Sequence, residues 1–385
     1  MHIRRIALTI LLASAALGAT CQPVTFQKVY ATGAGASAFN SMQQTTDGGY
    51  ILAGQTPGSD PADAWLVKVD DLGTVVWQKN FGGSDGDLFT SVAQAADGGY
   101  VAAGSTNESQ SDGTTAVYLV KVDATGALQW QKSLGSPQLD QWGTAVDTAL
   151  DGGYVVAGYN RLNAGFIAKV GALGALQWLK TDLYDTPIYS VRHTSDGGYV
   201  LTGADQYARV FLEKWDASGN RLWSQVYGGS ESQVGYAVRQ TNDGGYVIAG
   251  KTSSYGAGGD DFYLLKTDSS GNLSWEATFG GPGGDRAESV DQTSDGGYII
   301  AGYSDSFGAG SDDVYLVKTD ATGNLVWQKT FGGAASDRGM SVDRALDGGY
   351  AVAGTTQSFL PAGGTYSAGY LIKTDSLGNA PPSPD

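Results

Sequence analysis

The sequence predicts an all-β protein, a seven-bladed β-propeller with four antiparallel strands per blade. Three observations predict it. Asp-Gly-Gly-Tyr occurs seven times, beginning at Asp47, Asp97, Asp151, Asp196, Asp243, Asp295 and Asp347, at steps of 45 to 54 residues. Repeats of that length mark propellers and other repeat architectures. The segments between copies read as short strands bounded by turn residues, and beyond the first twenty residues no stretch holds the three-four apolar period of a helix. One blade per repeat follows.

The sixth copy shows how a repeat becomes a blade. Its strands a to d are Ser289–Thr293, Tyr298–Gly302, Val314–Thr319 and Leu325–Phe331. Each is rich in β-branched and aromatic residues and has strand length. Ser294-Asp295-Gly296-Gly297 joins a to b, with glycines that accept positive φ. Asp320-Ala321-Thr322-Gly323-Asn324 joins c to d, with an Asp able to cap its own backbone amides. The template recurs throughout. Strand d carries Trp77, Trp130, Trp178, Trp223, Trp275 and Trp327, and strand c carries Lys68, Lys121, Lys169, Lys214, Lys266, Lys318 and Lys373. Gly171 replaces the turn Asp in the third copy. The strands lack a clean two-residue alternation, as expected where neighbouring blades cover both faces.

The strand count gives the closure. The seventh repeat ends at Asn379 with no strand d, while Val24–Tyr30 matches the Trp-Gln-Lys pattern with Phe26 in the Trp position. The N-terminal strand is therefore expected to complete the last blade, which makes residues 24–379 one propeller. Ala380–Asp385 is a short Pro-rich tail.

Residues 1–20 read as a signal peptide, with Arg4 and Arg5 before an apolar run from Ile6 to Leu17 that is too short for a permanent span. The mature chain is expected to begin between Ala19 and Gln22. Cys21, the only cysteine, sits where a bacterial lipoprotein carries its lipid, although Gly18-Ala19-Thr20 departs from the usual preceding pattern. Free secretion, periplasmic release and lipid anchoring at Cys21 stay open. With one cysteine the fold has no internal disulfide. The net charge of −16 disfavours nucleic acid and anionic membrane as partners. A membrane would be met only through a lipid anchor, and a monomer is expected.

Trp327-Gln328-Lys329-Thr330-Phe331-Gly332-Gly333, Asp347–Gly354 and Tyr370–Asp375 resemble the repeats of bacterial and archaeal secreted seven-bladed β-propellers. The likeness covers nearly all of the chain after the leader. It implies a cell-surface or lipoprotein location more than an activity. Lys121–Trp130 is also similar to the tryptophan-docking segment of quinoprotein propellers, from which seven blades and a single cysteine depart.

In a four-stranded blade the d–a and b–c connections share one face of the disc. Here they vary, as in 107–113, 254–261 and 359–366, whereas the opposite turns are uniform. Variable loops on a rigid frame are where binding is sought. The repeated Trp read as core. Phe39, Phe89, Trp142, Tyr189 and Tyr236 precede strand a near the channel entrance and are candidates to stack on a glycan or peptide, with interblade packing as the alternative. One position of strand a varies by blade, as Gln43, Ala93, Asp147, Arg192, Arg239, Asp291 and Asp343. These side chains are expected to line the channel, either as a structural charge network or as a polarised site in which Arg192, Arg239, Asp291 and Asp343 orient a charged ligand. Asp63, Asp261 and Asp313, with Asp87, Asp140, Asp285 and Asp337, are loop carboxylates for which calcium is chemically conceivable, but turn capping fits better and no cofactor is expected. His193 is the only histidine after the leader, so neither a histidine metal site nor a convincing triad assembles. The inventory favours a non-catalytic secreted or cell-surface propeller that binds a glycan, peptide or protein through the variable-loop face. The alternatives are a carbohydrate-active hydrolase or lyase with channel-mouth carboxylates, and a purely structural envelope protein.

Overall fold

A computed structural model describes residues 23–32, 35–57, 62–107, 114–135, 139–183, 186–361 and 366–384. The expected leader, Cys21, and the loop segments 108–113 and 362–365 lie outside the described residues. Seven four-stranded antiparallel sheets follow one another, each in the order a-b-c-d. The seventh is closed by the N-terminal strand Phe26–Tyr30, which pairs with strand c at Ala368–Thr374, Phe26 opposite Lys373. The inner strands of successive blades contact one another all the way round, including the first, Ala38–Gln44, and the last, Asp337–Arg344. Strand a is thus innermost, and the seven copies enclose a central channel.

The core is seven wedges, each filled from two adjacent blades. Between blades 1 and 2, for example, Ile51, Ala53, Ala64 and Leu66 meet Phe89, Val92, Tyr100 and Tyr118. Strands b and c are buried on both sides and show no alternation, whereas strand d, the outermost, is largely exposed, with its Trp and Phe half-buried.

Strand d latches each blade to the next. Trp77 lies over Gly126 in the c–d turn of blade 2 and donates its indole N–H to Ala124 at 3.1 Å. Trp130, Trp178, Trp223, Trp275 and Trp327 cover the equivalent glycines, and Phe26 does the same over Gly73. The indole therefore serves as interblade packing, as the sequence implied.

The Asp-Gly-Gly-Tyr turn is held from inside. In blade 6, Gly296 adopts φ +83°, while a side chain on Gly297 would meet Thr319 O at 2.1 Å and Lys318 Nζ at 2.7 Å. The two glycines are required for different reasons, one conformational and one steric. In all seven blades the buried strand-c lysine reaches the turn aspartate at 2.8–3.0 Å.

Candidate functional site at the channel mouth

Every inner strand carries a β-bulge near its start, at the variable-loop face. The extra residue is Asn40, Thr90, Thr144, Tyr189, Tyr236, Glu288 or Met340. A bulge re-aims a side chain that regular pleating would send between blades. These seven residues, with the small Ser or Ala that follows each in most blades, rim a cavity of about 310 Å³ whose floor includes Arg192.

Aromatic residues collect on one side of this rim. Trp142 meets Tyr159 at 5.5 Å between ring centres, Tyr159 meets Tyr189 at 6.3 Å, and Tyr189 meets Tyr236 at 5.1 Å. The series ends where the Arg286 guanidinium sits 3.9 Å from the Tyr236 ring centre. Arg286 Nε in turn lies 2.6 Å from Glu288. Burial pushes the Glu288 carboxyl up to about 7, with Arg286 opposing. Desolvation likewise raises the Tyr189 and Tyr236 hydroxyls above the usual phenol range, so both stay protonated and able to donate. Thr144 sits beside the arc on blade 3, Asn40 and Thr90 stand on blades 1 and 2, and Met340 on blade 7. The mouth is therefore lopsided, with an aromatic arc over blades 3 to 5, an Arg–Glu pair on blade 6, a methionine on blade 7 and small polar groups on blades 1 and 2.

The structure separates the sequence-predicted aromatics. Tyr189 and Tyr236 are bulge residues on the rim, and Trp142 lies one step outward, half-buried. Phe39 and Phe89 occupy the preceding register position, which points into the interblade wedge. Both are fully buried and stack on Trp65 and Tyr118 at 5.0 and 5.8 Å. The expectation that they rim the entrance is corrected here: both precede the bulge and pack between blades, and the rim is reached by the bulge residues that follow them, Asn40 and Thr90. Tyr159, Arg286 and Glu288 were not singled out in the sequence. The available signal was weak: Glu288 is the only acidic residue at the bulge position, whereas Tyr159 and Arg286 recur as Tyr303 and Arg338.

Deeper in, charged side chains stand at the variable position of strand a, whereas Ala93 at the same position packs in the wedge between blades 2 and 3. Asp147, Arg192, Arg239, Asp291 and Asp343, from five successive blades, act on one another electrostatically. The carboxylates are tied down locally. Asp147 Oδ2 accepts the His193 backbone N–H at 2.9 Å and lies 3.1 Å from His193 Nδ1. Asp291 holds Arg344 Nε at 3.0 Å, and Asp343 accepts the Gln44 backbone N–H at 2.9 Å. Burial together with the neighbouring Asp291 charge pushes the Asp343 carboxyl up to about 6. Among the described residues no Ser or Thr hydroxyl bonds to His193, whose ring serves Asp147.

The loop carboxylates cap turns. Asp285, Asp337 and Asp87 accept from Gly281, Gly333 and Gly83, and Asp261 and Asp313 accept from Ala257 and Ala309. Among the described residues no group of three or more His, Cys, Asp or Glu could hold a metal ion.

No protein-family model and no curated protein matches the chain. Solved structures match in fold. YCF48 bound to D1 peptide is 13% identical, with 91% of this chain and 96% of that one covered and a TM-score of 0.52. Sqt1 of Chaetomium thermophilum bound to the N-terminus of the ribosomal protein L10 is 14% identical over 84% of each chain, with a TM-score of 0.50. A catalytically inactive virginiamycin B lyase from Staphylococcus aureus with quinupristin is 10% identical, covering 90% and 99%, with a TM-score of 0.58. At such identity the likeness establishes the propeller fold alone.

Proposed function

We propose that this is a non-catalytic propeller that binds a peptide or protein segment at the channel mouth of its variable-loop face. The observation that carries the proposal is the arc Trp142–Tyr159–Tyr189–Tyr236. Tyr189 and Tyr236 occupy the bulge position where other blades hold Asn, Thr, Glu or Met, Trp142 stands where others hold Ala, Leu, Pro, Val or Arg, and Tyr159 matches an aromatic only in blade 6, so the repeat architecture does not require the arc. The rings contact one another tilted or edge-on, and Arg286 covers a face of Tyr236. They form a faceted wall rather than the flat exposed platform on which a sugar ring stacks, and such a wall suits side chains and backbone of a peptide. Peptide-bound YCF48 and Sqt1 offer precedent on this fold. The repeat resemblance to secreted propellers and the leader-like first twenty residues support an exported protein, free or anchored through Cys21.

The test is a peptide display selection on the purified mature protein, run beside a glycan array. Peptides retained by the wild type and lost on Tyr189→Ala and Tyr236→Ala are the expected result. Binding of glycans alone, or peptide binding indifferent to both substitutions, would overturn the proposal.

A further inference from the structure

Arg192 and Arg239 stand at the same register position of adjacent inner strands, Ile188–His193 and Gln233–Gln240. Arg192 forms part of the cavity floor beneath Tyr189 and Tyr236. It is two residues below the small-residue ring, or about 7 Å at strand rise. Arg192 Nε is buried and lacks a hydrogen-bond partner. Among the described residues no carboxylate oxygen comes within 4.0 Å of either guanidinium. The three nearby aspartates do not fill this role, because each is engaged elsewhere, with His193, Arg344 or the Gln44 amide. Burial and the Arg239 charge pull Arg192 down to about 10. Asp147, Asp291 and Asp343 act on both cations only from beyond contact distance, which leaves the two guanidiniums side by side with no carboxylate in their hydrogen-bonding forks. Guanidinium forks match a carboxylate in two parallel hydrogen bonds, and a carboxylate between them would relieve both the burial and the mutual repulsion.

Building on the peptide-binding reading above, we propose that the mouth selects a carboxylate. A peptide enters end-on, its carboxylate seated between Arg192 and Arg239 and the neighbouring residue lying against Tyr189 and Tyr236. The carboxylate comes either from the peptide C-terminus or from an acidic side chain at the inserted tip.

Three degenerate, N-terminally labelled hexapeptide pools separate these sources. The first has free C-termini and no Asp or Glu, the second is C-terminally amidated without Asp or Glu, and the third is amidated with Asp and Glu allowed. The first or third is expected to bind at least tenfold more tightly than the second, and whichever wins names the source. The advantage should vanish in an Arg192→Gln, Arg239→Gln double variant. Should that variant fail to fold, the Arg192→Lys, Arg239→Lys variant keeps the charge and loses the forks. It is expected to lose several-fold of the preference. Equal binding of all three pools, or a preference unchanged in the folded variants, overturns carboxylate selection and leaves peptide binding standing. Absence of binding by every pool and by displayed peptides overturns both.

Discussion

Lys318 Nζ lies 2.9 Å from the carboxylate of Asp295 and donates at 2.8 Å to Thr319 O, with the lysine side chain only 4% exposed and the aspartate 64% exposed. A buried ammonium thus reaches out to close its own hairpin, and the arrangement repeats in every blade. Burial pushes the Asp295 carboxyl up, but hydrogen bonds from Lys318, Thr293 and Gly297 outweigh it and hold the group down at about 2.

From this pair, Asp295→Asn is expected to lower stability by about 1 kcal/mol, because solvent on the aspartate side screens the interaction. Lys318→Ala should cost more, about 2–3 kcal/mol, since it also leaves Thr319 O and the turn without a buried partner. Urea denaturation of the two variants checks the order. A reversed order would show that the exposed carboxylate, not the buried amine, organises the turn.

Acid should unfold the protein in a defined window. Asp196, Asp243 and Asp295 are each held at about 2, below the ordinary aspartate value near 3.9. Their folded-state values are depressed, so their contribution is present above pH ~4 and lost as pH falls from about 4 to 2. Circular dichroism across that range, beside a variant with three of the turn aspartates changed to Asn, is expected to show a shallower acid transition in the variant.

Asp343 has the opposite sign. Its folded value is raised to about 6, so between pH ~4 and 6 the folded chain keeps a proton that the unfolded chain has lost, and stability falls as pH rises through that window. Asp343→Asn keeps an acceptor for the Gln44 amide and removes the titration. The variant is expected to gain about 1–2 kcal/mol over the wild type above pH 6 and nothing near pH 4. Unfolding measured at four pH values decides it, and a pH-independent difference would show that the Asp343 carboxyl is not raised in the folded chain.

The rim and the wedge should respond differently. Phe89→Ala opens a cavity in a fully buried wedge and should cost about 3–5 kcal/mol without altering the mouth. Tyr236→Ala should cost less stability and lower affinity for a selected peptide at least tenfold. Paired melting and binding measurements distinguish the two positions, although both belong to the aromatics before strand a.

The ring junction should be a weak point if cut. Phe26 packs under Gly73, and Tyr30 donates to Gly73 O at 2.6 Å, so the N-terminal strand holds both blade 7 and blade 1. Phe26→Ala is expected to cost about 3 kcal/mol. Removing residues 23–31 should expose the edge of Ala368–Thr374 and promote self-association visible by size-exclusion chromatography.

Much of the candidate site was legible only as a set of variable positions. Arg192, Arg239, Asp291 and Asp343 could be picked out because one position of strand a changes charge from blade to blade while its neighbours repeat. The rim could not be placed the same way. The bulge inserts one residue into the two-residue alternation, and the sequence does not mark that Phe89 faces the wedge while the next residue, Thr90, and its equivalent Tyr236 face the mouth. Nor could the sequence separate Arg192 and Arg239 from the aspartates, since which charges pair is settled by side-chain reach across the axis.

The sequence by itself determined the number of blades, their strand order, the turn chemistry and the closing strand. Those features rest on local rules, with glycines where φ is positive or space is absent, a lysine and an aspartate at fixed offsets, and a strand missing at one end and present at the other. Only the tertiary structure decided that residues 142, 159, 189, 236 and 286 form one wall at the mouth of a cavity that Arg192 lines. Their neighbourhood is created by closing the ring, which brings together positions from four blades whose separation along the chain carries no trace of their contact.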